Sequence, residues 1–108
     1  MKPILFAAAL ALSLPVQAAD PAKGKELVTS KGCVACHGAM GDKPSAPDQP
    51  VLAGQYNDYL VHALGDYKSG KRTNPIMKGM AATLSKQDIE DVAAWFSSQK
   101  STPLHNQR

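Results

Sequence analysis

Five consecutive residues, Cys33-Val34-Ala35-Cys36-His37, place two thiols and an imidazole within little more than one helical turn. Thiols at the C-x-x-C spacing can add to the two vinyl groups of one haem, while the imidazole that follows coordinates the iron from one face. Read this way, Cys33 and Cys36 are the thioether positions of a covalently attached haem c, and His37 is the proximal iron ligand. Other uses of the same residues must be weighed. A redox-disulfide thiol oxidoreductase would alternate strands and helices around the motif, and no such alternation is visible. A zinc site would need a fourth ligand, and the next histidine, His62, lies 25 residues on. An enzyme acting at the haem itself, such as a peroxidase, would need an open sixth position on the iron.

That sixth position has five candidate ligands: Met40, Met77, Met80, His62 and His105. Met40 follows His37 by three residues, too few for the chain to round the macrocycle. His62 falls within a helical pattern and His105 in a polar tail, where a surface or partly buried histidine is the plainer account. Met77 and Met80 lie forty or more residues downstream, so the chain can cross the haem edge and return. A thioether paired with an imidazole favours the ferrous state more than two imidazoles do, and a filled sixth position keeps small ligands from the iron. The methionine that is not the ligand is core filler.

These residues need elements to carry them. Asp20-Pro21 is a helix start, an acceptor at the cap followed by the ring that suits the first helical position. The helix runs over residues 21–30 and ends at Gly32, directly before the cysteine motif. Residues 38–54 contain three glycines, three prolines (Pro44, Pro47, Pro50) and two aspartates without apolar periodicity, which predicts a long irregular loop. A loop of that length in a compact domain calls for a function, and wrapping a haem is one. Residues 55–69 form a second helical segment, with Tyr56, Leu60, Leu64 and Tyr67 near helical spacing and Gly70 as the stop. Asn74-Pro75 through Thr83 reads as a second loop, carrying Met77 and Met80. Ser85 and Asp88 then make a capping box for the clearest helix, whose face is Ile89, Val92, Ala93 and Phe96 and which runs to about Gln99. With no convincing strand, the fold class is all-α.

Residues 1–18 read as a cleaved signal peptide: Met1-Lys2, an apolar run from Pro3 to Leu14, then small residues at Val16 and Ala18. The apolar run is shorter than the roughly twenty residues of a membrane span, so no stable membrane insertion is expected after cleavage. Taking these residues from the 108 leaves 90, a single domain over 19–108. A domain so small is often stabilised by a disulfide, a metal or a cofactor. Both cysteines lie in the motif, so a haem would serve. Removing Lys2 also leaves 11 Lys and Arg against 9 Asp and Glu. No long single-sign run suggests a nucleic-acid or membrane footprint. The cluster Lys68, Lys71 and Arg72 reads as a solvated loop.

The chain resembles a small class I c-type cytochrome. The stretches Arg72-Thr73-Asn74-Pro75-Ile76-Met77-Lys78-Gly79-Met80, Leu84-Ser85-Lys86-Gln87-Asp88-Ile89 and Val92-Ala93-Ala94-Trp95-Phe96-Ser97-Ser98-Gln99 are similar to the bacterial cytochrome c-553 group and its dihaem relatives, as is Leu52-Ala53-Gly54-Gln55 before a Tyr-rich helix. The resemblance covers nearly all of residues 19–108. It implies three or more short helices and long loops wrapped around one covalent haem, and it puts the distal ligand on Met77, the first of the Met-x-x-Met pair, with Met80 as the alternative. It implies that the first and last helices cross near the haem, a glycine on one admitting an aromatic from the other; Gly24 and Trp95 or Phe96 are the matching residues. It also implies that a loop proline carbonyl orients the proximal imidazole, for which Pro47 is the candidate, with Pro50 behind it. The dihaem relatives carry two attachment motifs where these 108 residues carry one, which excludes a two-haem wire within them.

The function so implied is one-electron transfer, not enzymatic catalysis: a periplasmic monohaem cytochrome moving electrons between protein donors and acceptors. The alternative keeps the haem and makes the chain the electron-transfer subunit of a periplasmic oxidoreductase.

Overall fold

The computed structural model describes residues 18–100. The signal-peptide expectation falls almost wholly on residues 1–17, and His105 on residues 101–108; both stretches lie outside the described residues. The fold is all-helical, with α1 Pro21–Ser30, α2 Cys33–His37, α3 Asn57–Ser69, α4 Pro75–Ala82 and α5 Lys86–Ser97, and no strand among the described residues.

Helix α1 starts where its cap chemistry dictates. The Asp20 carboxylate accepts from the N–H groups of Ala22 (2.9 Å) and Lys23 (3.4 Å), and Pro21 supplies the pre-set first turn. Helix α5 has the full capping box: Asp88 N–H donates to Ser85 Oγ and Ser85 N–H to the Asp88 carboxylate, both at 3.0 Å. It ends at Ser97, two residues short of the expected Gln99: Ser98 N–H still reaches the Ala94 carbonyl (3.2 Å), but Gln99 N–H tightens onto the Phe96 carbonyl, three residues back (3.2 Å). Helix α3 stops at Gly70, whose φ of +89° is the left-handed conformation a side chain resists.

One expectation is overturned. The stretch from Asn74 to Thr83 is not a loop but mostly helix α4. Asn74 Oδ1 accepts from Ile76 N–H (3.0 Å) and Met77 N–H (3.1 Å), with Pro75 at the first helical position. It is the same cap-then-proline start as Asp20-Pro21. Over eight residues with only Ala81 buried, no apolar stripe develops to reveal the helix.

Helices α1, α3 and α5 share a small core of Leu27, Val28, Leu60, Val92, Ala93 and Phe96. The tightest contact is α1 against α5. A Cβ at Gly24 would sit 2.0 Å from the Asp91 carbonyl oxygen and 2.9 Å from Trp95 Cβ, so the crossing exists only because residue 24 has no side chain. Of the aromatics expected there, Trp95 meets Gly24, while Phe96 packs on Gly41 instead. The buried Asp91 carboxylate fastens the same crossing, accepting from Asp20 N–H at 2.8 Å and from Gln87 Nε2 at 2.9 Å. Among the described residues, no helix is long and apolar enough to cross a membrane.

Gly24→Ala gains intrinsic helix propensity but cannot be accommodated without separating α1 from α5. We expect it to cost about 3 kcal/mol, roughly 12–24 °C in Tm for a domain of this size, read by thermal unfolding of the haem-loaded protein. An unchanged Tm would mean the two helices do not need this contact.

Candidate functional site

The cysteine motif is itself helical. Gly32, at φ +83°, turns the chain from α1 into α2, and Gly38, at φ +87°, ends α2 with its N–H on the Val34 carbonyl at 2.9 Å. This short helix puts Cys33, Cys36 and His37 on one wall of a cleft of about 1230 Å³, counting its open mouth. Met77 and Met80 of α4 line the same cleft, as do Leu60, Leu64, Leu84, Val92 and Phe96 from the core side.

His37 is buried, and its Nδ1 lies 2.9 Å from the Pro50 carbonyl oxygen. A carbonyl can only accept, so Nδ1 carries a proton here, and in the neutral imidazole that leaves Nε2 as the nitrogen that can ligate a metal. The expected carbonyl was that of Pro47, and this is corrected to Pro50. The reason lies in Gln49, whose Oε1 accepts from Ser45 N–H (2.9 Å), Ser45 Oγ (2.8 Å) and Ala46 N–H (3.0 Å). That closes residues 45–49 into a turn with Pro47 exposed on it, and the chain comes back to the imidazole only at Pro50.

The returning loop is held from several sides. Ser45 N–H donates to the Cys36 carbonyl (2.9 Å) and Lys43 N–H to the His37 carbonyl (3.2 Å). The Gly41 carbonyl accepts from Leu52 N–H (2.7 Å) and Ala53 N–H (3.1 Å), Gly54 N–H donates to the Phe96 carbonyl (2.9 Å), and Trp95 Nε1 donates to the Ala39 carbonyl (2.9 Å). Gly41 has φ +77°, and a Cβ there would lie 2.6 Å from the Phe96 ring.

The remaining ligand candidates separate cleanly. Met40 is 48% exposed and does not line the cleft, and His62 is on the outside of α3 with its Nε2 3.2 Å from Asp66 Oδ2. Both thiols are free, and burial pushes the Cys33 thiol above its usual range, opposed in part by a backbone hydrogen bond. Among the described residues, no three His, Cys, Asp or Glu side chains group to hold a metal ion.

Of the basic cluster, Lys68 and Lys71 are exposed as the composition suggests, but Arg72 is not. Arg72 lines the cleft, donating to the Tyr67 hydroxyl (3.4 Å) and the Tyr59 hydroxyl (3.2 Å), with its guanidinium 5.3 Å and 5.7 Å from those ring centres. The Tyr67 and Tyr59 hydroxyls raise its pKa further, so it is a fixed cation. Gln49, Gly41 and Arg72 were not separable from ordinary loop residues in sequence. Arg72 alone left a trace, sitting five residues after Tyr67.

Comparison with known proteins decides the family. The cytochrome c family model matches residues 21–100. The chain belongs to the cytochrome c family. It is 41% identical over 86 residues to cytochrome c-554(548) of Halomonas halodenitrificans, covering 77% of this chain and all of that protein. It is 40% identical over 99 residues to a thiosulfate dehydrogenase electron acceptor of Stutzerimonas stutzeri, covering 85% of this chain and 44% of that one. The structure of reduced recombinant cytochrome c4 from Pseudomonas stutzeri superposes with a TM-score of 0.70 at 42% identity, over 79% of this chain and 48% of the other. The chain spans between a third and a half of the length of the curated cytochrome c4 relatives it matches.

The cofactor of this cytochrome c domain is covalently bound haem c. The residues that line the cleft suit it: two thiols, an imidazole whose Nδ1 is already hydrogen-bonded, two thioethers and a set of apolar side chains.

Gly41→Ala puts a side chain at a left-handed φ and into the Phe96 ring. We expect a loss of about 2–4 kcal/mol together with faster amide hydrogen exchange at Leu52 and Ala53, whose N–H groups bond the Gly41 carbonyl. Normal protection at those two amides would show that Gly41 does not organise the loop.

Proposed function

We propose that this chain is a periplasmic monohaem electron carrier, exported by a signal peptide over residues 1–18 and folded as one domain over residues 19–108. Cys33 and Cys36 hold the haem through thioethers, and His37 and Met77 are the axial ligands, with Met80 the alternative for the second. The observation that carries this reading is the His37 Nδ1 to Pro50 carbonyl bond, because it prepares the imidazole as a ligand in a cleft that the cysteines and the α4 methionines also line. Haem c supplies reversible one-electron exchange at its iron. The chain's own residues orient the imidazole, exclude water with Leu60, Leu64 and Phe96, and offer Arg72 as a cation for the carboxylates that haem carries. Met77 is preferred to Met80 on the resemblance of the Asn74-Pro75-Ile76-Met77 segment, and both side chains line the cleft.

Ile76, 65% exposed, and Met80 make an apolar rim at the mouth of the cleft. A rim of that size suits the small, short-lived encounters of a carrier with successive redox proteins. The relative named for its thiosulfate dehydrogenase partner supports a dehydrogenase as electron donor. It equally favours a second reading, in which this chain is the fixed electron-transfer subunit of a periplasmic oxidoreductase. Co-elution with an enzyme during purification would favour the subunit, and elution alone the shuttle.

The test is the visible spectrum of the exported protein. We expect a sharp reduced α band unaffected by carbon monoxide and, when oxidised, the weak far-red band of methionine-to-ferric charge transfer. Met77→Ala should abolish the far-red band, admit carbon monoxide and lower the reduction potential, whereas Met80→Ala should keep all three properties. The reverse pattern would move the ligand to Met80, and carbon monoxide binding by the unsubstituted protein would refute six-coordinate His/Met ligation.

A further inference from the structure

The two walls of the cleft are fixed by different means. The imidazole wall is sewn to the rest of the fold by backbone hydrogen bonds, but α4 buries only Ala81 of its eight residues. A helix with so little apolar anchorage needs another hold, and its C-terminal end shows one. The Met80 carbonyl accepts from Thr83 N–H (3.3 Å) and Thr83 Oγ1 (2.9 Å), and the Ala81 carbonyl from Leu84 N–H (3.0 Å). The next three carbonyls in the chain all receive ammonium groups. Lys68 Nζ, from the last turn of α3, donates to the Ala82 carbonyl at 3.5 Å and also to that of Leu84. Lys31 Nζ, from the cap residue of α1, donates to the Thr83 carbonyl at 3.3 Å.

The end of the methionine helix is therefore gripped from two sides by cations on different helices. Unpaired carbonyls and the negative end of the helix dipole both favour ammonium groups at this point. Lys31 also stands two residues before Cys33, so its bond to Thr83 ties the approach to the cysteine wall directly to the end of the methionine wall.

We propose that Lys31 and Lys68 are positioning residues for the distal ligand: they hold α4 against the cleft and so set how readily the methionine sulfur leaves the iron. The proposal rests on methionine ligation from α4. It assigns a role to side chains outside the ligand set, Lys31 at the lining of the cleft and Lys68 on the outside of α3, and it makes ligand exchange on the oxidised protein sensitive to residues on α1 and α3.

The test uses the haem-loaded, oxidised protein at fixed pH and ionic strength, with imidazole as the competing ligand and the far-red band as the readout. Lys31→Met and Lys68→Met keep the apolar stem and remove the donors; Lys68→Arg keeps a cationic donor. Each methionine variant should bind imidazole roughly two- to fivefold more tightly, the range for solvent-exposed charged contacts, and the double variant more tightly still. Lys68→Arg should stay near the unsubstituted protein, while thermal unfolding, measured in parallel, shifts by a few degrees at most in all of them. Unchanged imidazole affinity in both methionine variants, or equal loosening in Lys68→Arg, would overturn the clamp while the band in the unsubstituted protein still upholds methionine ligation. Absence of that band in the unsubstituted protein would instead refute methionine ligation, and the clamp with it.

Discussion

At Gly24 the α1 backbone comes against the α5 backbone with no room for a Cβ, and Asp91 closes the same crossing by accepting the N–H of Asp20. The placement of the site descends from this contact. Helix α1 leads through Gly32 into the cysteine motif, so its docking sets where Cys33, Cys36 and His37 stand. Helix α5 carries Trp95 and Phe96, which hold the long loop by side chain and by carbonyl, and that loop delivers the Pro50 oxygen to His37. A single close helix approach thus aligns an imidazole nearly fifty residues before α5 begins with the carbonyl that prepares it.

The cleft is asymmetric in rigidity. On the imidazole side the backbone is bonded repeatedly over residues 36–54, and two glycines with positive φ let it turn sharply at 38 and 41. On the thioether side a short helix leans on α3 and is finished by lysines. For an electron carrier this division is physically sensible. On the proposed ligation, the imidazole that tunes the iron through its second nitrogen is held fixed, while the helix that carries the methionines is held by contacts that solvent and salt can weaken.

Charge is used locally, not globally. A nearly balanced sequence composition conceals a guanidinium set between two tyrosines at the cleft and ammonium groups spent on carbonyls. The side chains of Ile76 and Met80 stay exposed at this cleft, with Lys78 between them in the sequence.

Local chemistry by itself determined the cysteine motif, the caps at Asp20 and Ser85, the stop at Gly70 and the irregular course of residues 38–54, because each depends on neighbours within about four residues. The cap at Asn74 was equally local, but α4 was hidden by its exposure: with only Ala81 buried, periodicity had nothing to register. The proline facing His37 belonged to tertiary structure. Three prolines in one loop offer equivalent carbonyls, and the choice of Pro50 turns on how Gln49 folds residues 45–49 and where Gly41 meets Phe96. The partners of Lys31, Lys68 and Arg72 were likewise decided in three dimensions, since a long cationic side chain finds its acceptors wherever packing brings carbonyls and hydroxyls within reach, at sequence separations of 52, 16 and 13 residues.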